Sequence, residues 1–390
     1  MPHTELMVGN KAVAYGAKLA KVQVISAYPI TPQTTIVQYL ADFIANGELK
    51  ARFIEVESEL SAMVAVQGAS FAGARVFTAT SGPGLFLMHH PMMEGSDLPV
   101  VMCVVHRSNK SMQPDHTDLM AQRDNGWIQL YCENNQEALD TALMSYKIAE
   151  DPRLSTPTTF GIDGYILSYT AEPVEVPDQE AVDEWLPPLK APWAPDISLP
   201  IAEWKNRQSR MYGSQKAWLD HDIKFRSSLN VIREVHDDFE KVFNRGYGNG
   251  IIEEHNCDGA EAVIVAMGTI ASTARVVVDD MRAEGKRIGL IKLKCYRPFP
   301  SDEVRNLAKK YYAIGIIDRN VSLGSGGNVF NETRSAVYDM DEKPRILGFH
   351  TGMAGEEVTP AMIQRIAEKT LRAAKEVMTP VVEWVGGELR

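Results

Sequence analysis

The chain reads as an α/β protein: a doubly wound parallel sheet, followed by a second and smaller α/β unit. Three observations predict this. Short apolar runs alternate with longer helical patterns through roughly the first 165 residues. A proline-rich, acidic stretch then breaks the rhythm, and the alternation resumes at Ala262. Strands separated by helices of this length need crossover connections, which make neighbouring strands parallel.

In the first unit, strands are expected over 22–27, 53–56, 76–79, 100–105, 128–131 and 158–162, with helices over 34–45, 60–72 and 136–150. Between Ala171 and Pro200 stand seven prolines (173, 177, 187, 188, 192, 195 and 200), a density that excludes a regular helix or a central strand. The stretch reads as an extended arm over a neighbouring surface. Trp185 and Trp193 imply docking, since a solvated linker seldom carries two tryptophans. A charged surface helix follows over 214–243. The second unit has expected strands at 262–266, 288–293, 313–317 and 346–349, and helices at 271–284, from 301, at 328–338 and at 360–377. Ser301-Asp302-Glu303 offers an N-cap with acids in the first turn. The expected organisation is therefore 1–170, a linking region 171–258, and 259–390.

The length of 390 residues and 45% hydrophobic content allow two or three cores. A net charge of −11 argues against broad nucleic-acid binding. Lys286, Arg287, Lys292, Lys294 and Arg297 form a local basic group, expected as a solvated face with one polar rim. No run approaches ~18 apolar residues, so no membrane span is expected, and the N-terminus has no signal-like pattern. Cys103, Cys132, Cys257 and Cys295 are scattered, which suits a reducing cytoplasm and excludes an iron–sulfur cluster held by this chain alone.

Chemistry-bearing residues gather at strand ends. Ser26-Ala27-Tyr28-Pro29-Ile30-Thr31-Pro32 closes the first strand as a stiff, polar-tipped turn, where open α/β sheets place ligands. Glu59 follows the second strand and opens a helix with small residues (Ser61, Ala62, Ala65, Gly68, Ala69) suited to close packing against another chain. Glu55, Glu57 and Glu59 share one face if that segment is extended; as solvated acids they would also suit a helix start. Thr80-Ser81-Gly82-Pro83-Gly84 is either a plain turn or a backbone approach for a ligand, and lacks the lysine of a Walker loop. Arg107, at the end of an apolar strand, can take a carboxylate bidentately. Asp115-His116-Thr117-Asp118 and His89-His90 lack metal-ligand spacing, so a hydrogen-bonded loop is expected. Gly324-Ser325-Gly326-Gly327-Asn328 is a weak dinucleotide signal, without the acidic residue that would complete it.

These segments resemble the alpha subunit of the thiamine-diphosphate-dependent 2-oxoacid:acceptor oxidoreductases, the pyruvate:ferredoxin oxidoreductase family. The resemblance is carried by Tyr28-Pro29-Ile30-Thr31-Pro32, Glu57-Ser58-Glu59, Thr80-Ser81-Gly82-Pro83-Gly84, His106-Arg107, Asp115-His116-Thr117-Asp118 and Gly126-Trp127. Later in the chain it rests on Met267-Gly268-Thr269, Arg297-Pro298-Phe299-Pro300 and Asp318-Arg319.

The resemblance implies a pyrimidine-binding first domain and a transketolase C-terminal-like second one. Glu59 would bond the aminopyrimidine ring nitrogen, Thr31 and Arg107 would meet the 2-oxoacid, and Pro29, Ile30, Ser81 and Gly82 would border the coenzyme. The implied reaction is oxidative decarboxylation of a 2-oxoacid to an acyl-CoA and CO2, with coenzyme A as co-substrate. Electrons would pass to [4Fe-4S] clusters on other subunits. A beta subunit would hold the diphosphate and Mg2+, alongside gamma and ferredoxin-like delta subunits, all cytoplasmic. Departures are Gln33 and Thr34, the His89-His90-Pro91-Met92-Met93 run, and His106, Asn109 and Lys110 around Arg107. They leave the substrate open between pyruvate, a branched-chain acid and an aryl acid such as phenylglyoxylate. The alternatives are a non-catalytic docking subunit of such a complex and a nicotinamide dehydrogenase using the glycine-rich loop.

Overall fold

The structure, a computed structural model, describes residues 2–194, 214–379 and 381–386. Two large sheets carry it. The first has seven strands in the spatial order Cys295–Arg297, Ile128–Tyr131, Thr158–Asp163, Val100–His106, Val76–Thr80, Val24–Ile25, Arg52–Phe53. All neighbours in it are parallel except Cys295–Arg297, which pairs antiparallel with Ile128–Tyr131. The chain leaves Val24–Ile25 outward to Arg52–Phe53, then returns to build on its other side with Val76–Thr80. The winding direction reverses there, and the carboxyl ends of those strands border one crevice.

The expected strands and helices of both units are present, with ends shifted by a residue or two at most positions. The larger departures are the first two strands and the last helix: only Val24–Ile25 and Arg52–Phe53 pair, the proline-bearing turn peeling away after the former, and the helix from Pro360 ends at Ala373. Several elements escaped the sequence reading, two of them at the start of the chain. His3–Val8 forms a strand, and Gly9–Leu19 a helix laid against the helix Asn135–Ala149. The contact is close because Gly16 has no side chain; a Cβ there would lie 2.5 Å from Ala142 Cβ.

The proline-rich arm is more regular than expected. Ala171–Val176 is a strand, paired antiparallel with His3–Val8 in a separate two-stranded sheet. Such a ribbon has a free edge that tolerates Pro173. A short helix, Gln179–Trp185, fits between Pro177 and Pro187. The docking expectation holds for both tryptophans. Trp185 is buried edge-on against Phe239 and Phe243, and Trp193 Nε1 donates to Ser70 O at 2.9 Å. Pro195 and Pro200 lie outside the described residues.

The helix Gln215–Phe243 begins at a capping Ser214, whose side chain accepts from Ala217 N. Beyond it, the second large sheet runs Val382–Trp384, Arg345–His350, Ala313–Asp318, Ala262–Ala266, Ile288–Leu293, Ile252–His255, with only the last strand antiparallel. Its two faces serve different cores. Val263 and Val265 pack into the core shared with the first sheet, while Ala262, Ile264 and Ala266 pack under the helices Ile270–Ala283 and Pro360–Ala373. At Ser301–Lys310 the capping position is Pro300 and no side chain caps the helix, contrary to the expected Ser301 cap. Ser301 is instead the first helical residue, followed by Asp302 and Glu303 in the first turn.

The basic group is solvated only at Lys286 and Arg287. Lys292 and Lys294 are fully buried where the second sheet meets the helix Asn135–Ala149. Lys292 Nζ lies 2.9 Å from both Glu133 Oε2 and Glu137 Oε2, and Lys294 Nζ 2.6 Å from Glu137 Oε1. Arg297 pairs with Glu332 at 2.6 Å. Hydrophobic strand neighbours hid these lysines' partners, which lie about 150 positions away in the chain.

Burial pushes the Glu137 carboxyl up, but Lys292 and Lys294 outweigh it and hold it at about 2, against an ordinary 4.5. A depressed carboxyl contributes stability that is fully present above the unfolded value and lost as pH falls through the folded one. Acid denaturation followed by circular dichroism should therefore show that contribution fading from about pH 4.5 down to about 2. Glu137→Gln should remove this part of the pH profile. It leaves the buried Lys294 ammonium without a carboxylate, Lys292 keeping Glu133, so it should destabilise the fold at neutral pH by about 3–5 kcal/mol.

Candidate active site

Four loops leave the carboxyl ends of neighbouring strands around the reversal point, and they carry the seven residues that the resemblance implies for the site: Pro29, Ile30, Thr31, Glu59, Ser81, Gly82 and Arg107. Thr31 follows Val24–Ile25, Glu59 follows Arg52–Phe53, Ser81 and Gly82 follow Val76–Thr80, and Arg107 follows Val100–His106.

The Tyr28-Pro29-Ile30-Thr31-Pro32 turn is pinned from behind. Asn10 Nδ2 donates to Pro32 O at 2.8 Å and to Thr35 Oγ1 at 2.6 Å. The Thr31–Pro32 peptide is cis. Gln33 is fully buried and turns its Oε1 toward Ile30 N, so this departure closes the loop on itself and does not face outward. Tyr28, Pro29 and Thr31 stay exposed and Ile30 is half-buried.

Glu59 is the first residue of the helix Glu59–Phe71, capped by Ser58, whose Oγ accepts from Ser61 N. The helix start separates the three acids: Glu55 and Glu57 are exposed, whereas Glu59 is only 5% exposed. Ser61 Oγ bonds Glu57, yet no donor among the described residues takes the Glu59 carboxylate. Gly84 makes room for it; a Cβ at 84 would lie 2.5 Å from Glu59 Oε1 and 2.6 Å from Thr80 Oγ1. Thr80 Oγ1 is itself buried without a partner. A buried acid that meets no donor among the described residues, next to a buried hydroxyl without a partner, marks a place where a polar ligand group fits. The same helix presents Leu60 and Val64 to the surface, and Phe86, Leu87 and Met93 are exposed on the two short helices that follow.

Ser81 Oγ donates to Val105 O at 2.5 Å, tying its turn to the next strand. Gly82 has φ +39°, and a Cβ there would meet Arg107 O at 3.1 Å and its Cβ and Cγ at 3.2 Å. The turn thus needs glycine both for its backbone conformation and for the arginine's approach. Arg107 Nη1 donates to Thr31 O at 3.1 Å, which joins the first and fourth loops. No carboxylate of the described residues pairs with this half-exposed guanidinium, and its Nε is buried without a partner. Such a cation suits an arriving carboxylate. Asn109 and Lys110 line a neighbouring cavity of about 520 Å3, with Phe86 on one side and Leu323 and Trp384 of the second unit on the other.

The expected hydrogen-bonded loop at 115–118 is present, and it contains two hubs that sequence reasoning missed. Asp118, fully buried, takes hydrogen bonds from Arg107 N at 2.9 Å, Gly82 N at 3.3 Å, Leu119 N at 2.7 Å and His106 Nδ1 at 2.9 Å. His116 meets Asp163, the last residue of Thr158–Asp163, at 2.9 Å. Asp163 also takes Thr269 N at 3.1 Å and Arg319 Nη1 at 3.0 Å from the second unit. Burial would raise the Asp163 carboxyl, but Arg319 and His116 hold it well below the carboxylate range, while burial keeps His116 below its ordinary value. His106, His116 and Asp163 offer ligand atoms within 4.8 Å of one another, a triad the spacing had not suggested. Arg319 already supplies the cation there, so the group is a latch between the two units.

The glycine-rich loop has a different occupant from a dinucleotide. Asp318 takes Val329 N and Phe330 N at 3.1 Å, filling the N-terminus of the helix Asn328–Val337, and a Cβ at Gly327 would lie 1.9 Å from its Oδ2. His89 bonds Gln122 and His90 faces Glu94, so the adjacent histidines diverge.

Two family models match. One, described as "Pyruvate flavodoxin/ferredoxin oxidoreductase, thiamine diP-bdg", covers residues 15–229. The other, "Pyruvate:ferredoxin oxidoreductase core domain II", covers 260–363. The pyruvate synthase subunit PorA of Pyrococcus horikoshii is 44% identical over 99% of this chain and 98% of its own length. The ketoisovalerate oxidoreductase subunit VorA of the same organism is 40% identical over 98% of each. Among solved structures, a 2-oxoglutarate:ferredoxin oxidoreductase from Magnetococcus marinus superposes with a TM-score of 0.68 at 21% identity, over 94% of this chain. The chain spans 65% of that neighbour, whose structure holds 2-oxoglutarate, coenzyme A and succinyl-CoA. A split-gene transketolase shares the fold at a TM-score of 0.56 and 12% identity. The chain therefore belongs to the alpha-subunit family of the thiamine-diphosphate-dependent 2-oxoacid:ferredoxin oxidoreductases.

Proposed function

We propose that this chain supplies the pyrimidine-side half of a thiamine diphosphate site in a multi-subunit oxidoreductase that oxidatively decarboxylates a small 2-oxoacid, coenzyme A taking the acyl group. The observation that carries this is the Glu59 carboxylate: buried, unpaired, and placed with Arg107 at the carboxyl ends of the strands. The coenzyme supplies a nucleophilic ring carbon and an electron sink for the carbon–carbon cleavage.

Glu59 would hold a proton against the ring nitrogen of the aminopyrimidine, in a pocket dry enough to strengthen that sharing. Pro29, Ile30, Ser81 and Gly82 would border the coenzyme, their loops fixed by Asn10 and by the Ser81–Val105 bond. Arg107 would hold the substrate carboxylate beside Thr31. That carboxylate leaves as CO2, so the clamp holds the arriving substrate more than the transition state, and its loss is felt in substrate binding.

The exposed apolar residues Leu60, Val64, Phe86 and Leu87 border the same site, and a beta subunit carrying the diphosphate and Mg2+ would cover them. Gamma and ferredoxin-like delta subunits would carry the [4Fe-4S] clusters. The scattered cysteines agree with clusters held elsewhere, and no helix among the described residues is long and apolar enough to cross a membrane. The relatives named for pyruvate and ketoisovalerate favour an aliphatic substrate, and phenylglyoxylate turnover would move the proposal to the aryl branch. A purely docking role would leave the buried acid at 59 stabilised only by its place at the start of a helix, with no use for its position in the crevice beside Arg107.

In the assembled complex, Glu59→Gln should lower CO2 release from the 2-oxoacid by at least ~100-fold, with assembly intact by size-exclusion chromatography. Unchanged turnover would remove the assignment. Arg107→Ala should raise KM for the 2-oxoacid by about 10- to 100-fold, the loss of a charged hydrogen-bond pair, in steady-state assays across substrate concentration.

A further inference from the structure

We propose that Asp118 is a positioning residue of this site, tying the backbone of Arg107 to the Gly82 turn so that the guanidinium is set for the substrate. The proposal rests on the role given to Arg107 above. Asp118 touches neither ligand-facing surface: it is fully buried, and all four of its hydrogen bonds are to this chain.

The division of those bonds between the two oxygens carries the inference. Oδ2 takes the amides of Arg107 and Gly82, which belong to two different loops at the ends of adjacent strands. Oδ1 takes Leu119 N and His106 Nδ1. One carboxylate therefore fixes the spacing between the substrate cation and the turn that leads to Gly84, the residue packed on Glu59. Nothing else among the described hydrogen bonds joins the backbones of Gly82 and Arg107 through a common acceptor.

The second oxygen extends the hold. A hydrogen on His106 Nδ1 leaves Nε2 as the bare nitrogen, and Nε2 is buried without a partner. The ring stacks on Tyr131 with centroids 5.2 Å apart and meets His116 at 4.8 Å. His116 in turn reaches Asp163 and, through it, Arg319 of the second unit. The strand end that delivers Arg107 is thus held from the protein interior, so the guanidinium can remain unpaired until a carboxylate arrives.

The test is a double-mutant cycle in the assembled complex. Asp118→Ala should raise KM for the 2-oxoacid by at least tenfold while changing kcat less than threefold. In an Arg107→Ala background the same substitution should leave KM unchanged within twofold. Asp118→Asn keeps an oxygen for one pair of donors but loses the charge, and should recover most of the KM lost in the alanine variant while still raising it at least threefold. It carries the test alone if the alanine variant does not assemble. An equal rise in KM with and without Arg107, or no rise in an assembled variant, overturns the proposal and indicates a purely structural acid. If Arg107→Ala by itself leaves KM unchanged, the fault lies with the role given to Arg107, and the positioning role falls with it.

Discussion

The reversal of strand order beside Val24–Ile25 is the constraint on which the site depends. A parallel strand ends with its carbonyl edge toward one side of the sheet, and only at a reversal do the following loops diverge enough to leave a crevice. Here four loops share that side, so Thr31, Glu59, Gly82 and Arg107 become neighbours although 76 residues separate the first from the last. Rigid elements then hold the loops: Asn10 behind Pro32, Ser81 on Val105, Asp118 beneath Arg107.

Buried charge organises what the crevice stands on. Asp163 with Arg319, and Glu137 with Lys292 and Lys294, both bridge the first sheet's unit to the second. Hydrophobic contacts between the units are extensive but direction-tolerant, whereas a buried ion pair is satisfied in one arrangement and strongly unfavourable in any other. The cores merge on one face of the second sheet, and the ion pairs select its orientation. The strand Cys295–Arg297 completes the link by joining the first sheet outright.

Unpaired groups divide along the same line. The interior acids find cationic partners, while among the described residues Glu59 meets no cation and Arg107 no carboxylate, and exposed apolar helices border the site they share. Stability is thus concentrated away from the crevice, and the acid and the guanidinium that border it are left without a charged partner among the described residues.

Local chemistry in the sequence was enough for the strand–helix alternation, the stiff turn at Tyr28-Pro29-Ile30-Thr31-Pro32, and the family to which Glu59 and Arg107 belong by motif. Periodicity and proline restrictions act over a few residues, and such signals survive without the fold. They failed where partners are distant. Lys292 and Lys294 looked solvated because Glu137 is not near them in sequence, and the strand Ala171–Val176 was invisible because its pairing partner is the chain's first strand. Asp118 could be seen only as one acid of a polar loop. Its value comes from accepting amides of two loops that meet in space, a relation that tertiary packing alone creates.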